Sequence, residues 1–413
     1  MNEKRPHGGR EARSDRRPLG PRRDPRERRA LSNLGGPIET RGDPSLSGML
    51  ARAWERAAGE DPDTLTHGFH SWPARMHWAI ARTVMEALEP KTVVDPFCGG
   101  GTVLIEARVA GARSLGVDLS PLARRVCDVK LDARDEEGRA RFVARAREVA
   151  EKSEARVRGR VRIIVALPQR ELDWYEPHVL KELGGLLEEI RAVDDPRDRL
   201  ALAMVFSANL IKVSRQRADT AEHVTERRIR KGLTTELFLR KAEELAGRWA
   251  ALAEVAKGPM PLLFEGDARD LPSFAEHRRF DLALTSPPYG ATYDYAYHHS
   301  RRIAWLKLDD FAMRRLEVGA RRALTGPDAA FHWERDVDAT LRAIAAVLKP
   351  GGRAVLVVGD AQLGDQRIEA PPQLVRVGRR HGLVPTALAS QSREDRTGGP
   401  PRREHIALLT KAR

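Results

Sequence analysis

The chain has 413 residues, enough for one large domain with an insertion or for two domains. It carries a formal charge of +13, with 41% apolar and 32% charged residues, and no run near the ~18–20 apolar residues a membrane helix needs. Its two cysteines, Cys98 and Cys127, exclude a disulfide framework and a Cys-rich zinc site, and with no secretory h-region they make a cytoplasmic location the expectation.

Residues 1–45 are rich in Arg, Pro and Gly and almost free of apolar side chains. Such a segment cannot bury enough surface to offset its ordering entropy, so it reads as a disordered basic tail, either solubilising or polyanion-binding. Residues 46–66 suggest a helix in "LSGMLARAWERAAGE". The stretch "HGFHSWPARMHWAIARTVMEALEP" begins with aromatics and takes helical spacing from Ala79 to Leu88, stopping before Pro90. Then "KTVVDPFCGGGTVLIEARVAGARSLGVDLSP" reads as strand, Gly-rich turn, helix and strand, a βαβ unit that implies a parallel sheet.

Residues 130–257 change character: they are charged and mostly helical, and only "RVRIIVAL" near 161–167 looks like a strand. They form an expected helical insertion between two parts of one domain, 46–129 and 258–413. The sheet pattern resumes with "PLLFEGDARDLP" and "FDLALTSPPYG", passes through a helical region at 301–348, and ends with "GGRAVLVVGDA" and "REHIALLTKA". The alternation predicts an open, doubly wound α/β fold whose ligands bind at the carboxyl ends of the strands.

Every notable motif falls at such an end. In "DPFCGGGT", Asp95 to Thr102, glycines let a ligand approach the backbone and the next helix offers free N–H groups. The Walker lysine is missing, so a phosphate cradle is not expected, and the GxGxxG spacing of dinucleotide sites is absent. Asp118 in "GVDLSP" could accept from both ribose hydroxyls, or simply cap a helix. Asp267 in "EGDARDLP", by its carboxylate or its neighbouring amide, could read an adenine amino group, or be a turn acid. Together these acids suit an adenosine with a charged amino-acid tail and repel a triphosphate.

"TSPPYG", Thr285 to Gly290, ends its strand in a donor-poor corner, since neither proline has an N–H. Ser286 and the Ser-Pro carbonyls could hold the two N–H groups of an exocyclic amine, and Tyr289 offers a face for a planar base.

In that order, "DPFCGGGT", "GVDLSP", "GDARDLP" and "TSPPYG" resemble motifs I to IV of the S-adenosylmethionine-dependent amino-methyltransferases, above all the DNA enzymes with Ser-Pro-Pro-Tyr. "FHSWPARMHWAIAR" resembles the segment that closes over the methionine part of the cofactor in that family. The resemblance covers residues 67–128 and 262–410. It implies a class I, Rossmann-like methyltransferase domain with S-adenosyl-L-methionine as cofactor. Asp95, Phe97, Cys98, Gly99, Gly101 and Thr102 would line the cofactor, with Asp118 and Leu119 at its ribose and Asp267 and Ala268 at its adenine. Ser286, Pro287, Pro288 and Tyr289 would hold the target amine. Ser-Pro-Pro-Tyr is associated in the family with cytosine N4 and Asp-Pro-Pro-Tyr with adenine N6, while the insertion would carry target recognition.

One departure is Gly-Gly-Gly where many relatives have Gly-Ser-Gly. Neither cysteine has the Pro-Cys-Gln setting of covalent C5 enzymes. The implied partner is nucleic acid, DNA preferred over RNA because no RNA-binding domain is recognisable ahead of the Gly loop. The alternatives are an RNA base methyltransferase, a DNA adenine N6 enzyme, a protein-glutamine methyltransferase and a non-catalytic nucleic-acid-binding protein. Tyr293, Tyr295 and Tyr297 could stack on neighbouring nucleotides or merely pack a helix, and the basic stretches 212–220 and 226–232 could contact phosphates. No metal set is recognisable among His67, His70, His77, His298 and His299.

Overall fold

The computed structural model describes residues 36–216, 227–393 and 402–413. Ten strands run in chain order as β1 (Ile38–Gly42), β2 (Thr92–Asp95), β3 (Arg113–Asp118), β4 (Leu262–Glu265), β5 (Phe280–Thr285), β6 (Leu348–Gly359), β7 (Ala361–Leu363), β8 (Gln366–Ile368), β9 (Leu383–Arg393) and β10 (Arg402–Lys411). Eight of them make one sheet in the order β1-β9-β10-β6-β5-β2-β3-β4, and β7 and β8 form a separate hairpin.

Strands β2 to β6 are parallel, and β10 runs antiparallel between β6 and β9. Parallel strands are covered on both faces, and their side chains sort accordingly. Val93, Leu282, Leu284, Val355 and Val357 enter one buried cluster, while Val94, Ala283, Ala354, Leu356 and Val358 enter the opposite one. The chain builds outward from β2 through β3 to β4, then returns to lay β5 and β6 on the other side of β2. The strand order therefore reverses between β2 and β5, which makes their carboxyl ends the crevice of the sheet. This is a doubly wound, Rossmann-like α/β architecture in which β10 and the edge strand β1 run against the parallel set.

The tail expected over 1–45 ends earlier than its composition suggests. Residues 38–42 pair antiparallel with β9, and Pro44–Gly59 is a helix capped by the Asp43 side chain. An edge strand needs only backbone partners, so four of its five residues can be exposed and carry no apolar signal. Residues 1–35 lie outside the described residues.

The strand expected at 161–167 does not form. This segment meets no sheet edge; Ile163 and Val165 lie instead against Gly184, where a β-carbon would come within 2.5 Å of Ile163 Cγ2. Its alternation serves a helix surface, with Ile164 left 70% exposed. Over its other described residues the insertion is mostly helical, at Glu136–Arg158, Pro177–Arg191, Pro196–Asn209 and Leu233–Val255. It is not a separate body, because its core is continuous with Phe69, Leu122 and Trp305 of the α/β part. Trp249 closes the junction by donating from Nε1 to the Val129 carbonyl at 2.7 Å. The helical region at 301–348 is broken into Ser300–Leu306, Phe311–Leu316 and Ala329–Val347.

Candidate active site

The loop after β2 is shaped by its glycines. Gly99 has φ +47° and Gly101 has φ +79°, conformations that favour glycine. A β-carbon on Gly99 would sit 2.8 Å from Trp72 Nε1, and one on Gly101 would sit 2.9 Å from Cys127 Sγ. Trp72 thus covers the loop from above while the helix Pro121–Lys130 supports it from below. From that helix the Cys127 thiol donates to the Gly99 carbonyl at 3.2 Å, and the fully buried Lys130 ammonium group donates to the Gly100 carbonyl. Burial pushes Lys130 down to about 7.

Beside this loop lies a cleft of about 860 Å³ of empty space, its open mouth included. Its walls bring together Asp95, Phe97, Cys98, Gly99 and Thr102 from the loop, Asp118 and Leu119 after β3, and Asp267 and Ala268 after β4. Ser286 and Pro288 reach it from the corner after β5. Gly101 is not on the wall; it opens the helix Thr102–Val109 behind the loop. Pro287 and Tyr289 are not on it either.

Carboxylates dominate the cleft's charge. Asp95 is pushed up to about 7 by burial, against the hydroxyl of Thr285, which donates to it at 2.7 Å, and the N–H of Phe97. Asp118 is raised to about 6, again by burial, although the N–H groups of Gly99 and Ser120 donate to its two oxygens at 2.8 and 2.9 Å. Glu317, also on the wall, is raised by burial while holding the N–H of Tyr295 and the Arg322 guanidinium. One buried acid, Asp95, and two half-buried ones, Asp118 and Glu317, facing one space disfavour a phosphate and favour a ligand with positive charge.

The Asp267 carboxylate is already engaged, taking the backbone N–H of Arg269 at 2.9 Å and its guanidinium at 2.6 Å. Of the two options left open there, carboxylate or neighbouring amide, this geometry favours the amide.

The corner itself separates two spaces. Pro287, Pro288 and Tyr289 line a second cavity, about 550 Å³ when every gap between its atoms and its open mouth are counted, and Pro288 and Val318 belong to both walls. The Tyr289 ring lies flat on Gly359, where a β-carbon would come within 2.7 Å of Cδ2. Its hydroxyl donates to Oε1 of the buried Glu404 at 3.2 Å.

Several wall residues escaped the sequence reading. Glu317 and Val318 sit in "MRRLEVGARR", where one acid among arginines carries no signal. Arg75 and Met76 fall inside the aromatic segment already singled out, and Tyr295 is the one of the three clustered tyrosines that reaches the cleft. Of the basic stretches, Arg227, Arg228, Arg230 and Lys231 are exposed in irregular backbone, and 217–226 lies outside the described residues. Among the described residues no cluster of three His, Cys, Asp or Glu could hold a metal ion, and no helix is long and apolar enough to cross a membrane.

A family described as an RMKL-like methyltransferase domain matches residues 71–164, from the Trp72 segment through the Gly loop and Asp118 into the insertion. The type II methyltransferase M.MvaI of Kocuria varians is 24% identical over 276 residues, which cover 60% of this chain. The chain spans only 59% of that curated relative's length. Among solved structures, TrmN of Thermus thermophilus is 16% identical at a TM-score of 0.29, covering 81% of this chain and 49% of its own. The rRNA methyltransferase aviRa of Streptomyces viridochromogenes is 12% identical at a TM-score of 0.30, covering 84% and 89%. Sheet topology and domain match together define the class: a doubly wound α/β fold in which residues 71–164 are similar to a methyltransferase domain.

Proposed function

We propose that this protein transfers a methyl group to the exocyclic amine of a nucleic-acid base, cytosine N4 in DNA. The observation that carries this reading is the position of the Ser286-Pro287-Pro288 corner. It ends β5 at the point where the strand order reverses, and its Ser286 and Pro288 line the carboxylate-rich cleft.

S-adenosyl-L-methionine, when bound, supplies a methyl group on a positively charged sulfur. The chain's own residues fit it: Asp118 would take the ribose hydroxyls, the Ala268 side the adenine, and Gly99 and Gly100 the close approach of the tail under Trp72. Arg75 is the wall cation suited to the tail carboxylate, and the three acids offset the positive groups. On the target side Ser286 Oγ and the corner carbonyls accept from the base amine, aiming its lone pair at the donor cleft. Two prolines hold this corner without offering a competing N–H. Catalysis would then be positioning plus electrostatics: the corner would hold the amine in line with the methyl that the cofactor supplies, and the amine's surplus proton would leave to solvent. Duplex DNA must release the base from its stack to reach the corner. The DNA reading is supported by the Ser-Pro-Pro-Tyr resemblance and by the exposed Arg227, Arg228, Arg230 and Lys231 for phosphate contact.

The test is incubation with methyl-labelled cofactor and separate DNA and RNA pools, followed by mass spectrometry of the nucleosides. N4-methylcytosine from the DNA pool is expected. Label in RNA nucleosides alone, or in N6-methyladenine, replaces the substrate assignment; label in protein alone overturns the reading.

A further inference from the structure

The second cavity has fixed aromatic walls. Tyr289 is seated on Gly359 and tied to Glu404, as described. Trp333 is wedged by Gly290 and Gly319, whose β-carbons would come within 3.0 and 3.2 Å of its ring. Two immobile rings beside a proline corner make a slot for a flat heterocycle.

The remaining wall is apolar apart from a few groups, and one of these is unsatisfied. Gln373, on the helix Ala370–Arg380, is 4% exposed and lines the cavity. Its Oε1 accepts from Trp333 Nε1 at 3.2 Å. An indole nitrogen can only donate, so the carboxamide cannot be turned the other way. Gln373 Nε2 is therefore held as a donor, and among the described residues it has no hydrogen-bond partner. A buried, unpartnered donor is costly in an empty protein and marks a place where a ligand acceptor belongs.

We propose that this cavity receives the target base and that Gln373 is a specificity-determining residue, donating from Nε2 to the O2 carbonyl of cytosine. The inference rests on the amine-methylation reading above and deepens it. The chemistry separates the two candidate bases. When cytosine and adenine are overlaid by their amines and adjacent ring nitrogens, the cytosine C2 carbonyl falls where adenine has C2–H. Pro287 and Pro288 of the corner meet the amine of either base, whereas the Gln373 donor on the same cavity rewards only the carbonyl.

The test uses the full-length protein and oligonucleotides carrying cytosine, adenine, or a cytosine analogue lacking the C2 oxygen. Gln373→Glu keeps the acceptor for Trp333 and, assayed from about pH 6 to about pH 9 so that the carboxyl is read in its ionised form, removes the donor. It is expected to lower kcat/KM on cytosine at least about tenfold, through KM for the oligonucleotide, with cofactor affinity unchanged. Wild type should lose a similar factor on the oxygen-less analogue, and Gln373→Glu should lose nothing further there. Equal losses on all substrates, or cytosine turnover within about twofold of wild type, overturn the proposal.

The double variant Gln373→Leu/Trp333→Phe removes both polar partners together and guards against a folding defect; it should show the same substrate pattern. A wild-type protein that methylates no base sinks the proposed function but still decides the cavity. In that case 1-methylcytosine is titrated while the Trp333 indole N–H resonance, assigned with Trp333→Phe, is followed. A saturable shift that Gln373→Glu abolishes supports the slot, and no shift overturns it.

Discussion

At Gly99 the combination of a left-handed backbone and the Trp72 indole leaves no room for a side chain. Gly99→Ala should weaken cofactor binding about tenfold by calorimetry, through strain in the loop and displacement of Trp72. Asp118 gives a second, pH-resolved prediction. A positively charged ligand favours its ionised form, and burial holds it near 6 in the empty cleft. Cofactor affinity should therefore tighten as pH rises from about 5 to about 7, and Asp118→Asn should both weaken binding and flatten that dependence. Tyr289 stands on the other side of the corner, so Tyr289→Ala should cut turnover by at least about tenfold and leave cofactor affinity within about twofold. An equal loss of both would remove it from the target side. At this scale the sequence told where the acids and the corner sit along the chain. It could not tell that Tyr289 faces away from the cleft or that Arg269 occupies Asp267, because those are choices of side-chain rotamer made by distant neighbours.

Among the elements, the helix Pro121–Lys130 does more than cover the sheet, since its last residue holds the Gly loop from below. Lys130 titrates near 7 in the folded protein and far higher when unfolded. Between those values the unfolded chain binds the extra proton, so this residue makes stability rise with pH above about 7. Lys130→Met should flatten the rise in urea midpoint from pH 7 to pH 9 relative to wild type. The βαβ unit around the loop was legible because β-branched runs, glycines and a helical pattern alternate there. β9 was not: Pro385 falls beside its register shift, and serines and glutamine dilute its apolar alternation. β1 was hidden for the opposite reason, as an exposed edge needs no apolar face, and the 161–167 segment misled because a run packed on a helix can mimic a strand.

For the molecule as a whole, the positive charge predicts how it meets a polyanion. Binding to DNA should fall at least about tenfold between roughly 50 and 200 mM salt, and charge reversal at Arg227 and Arg228 should make that dependence shallower. Composition pointed to this partner class, and the doubly wound architecture was legible from the order of strands and motifs. What composition could not convey is how the helical insertion is attached, because a shared core is a property of contacts between segments far apart in sequence. That core joins Phe69 and Trp305 to the insertion, and His70, next to the loop-covering Trp72 segment, shares a 3.0 Å hydrogen bond with Ser207 of the insertion. A ligand that stills the Trp72 segment must therefore also restrain the helix Pro196–Asn209. Its amides should exchange with deuterated solvent more slowly once the cleft is filled, so that occupancy is felt mechanically within the insertion.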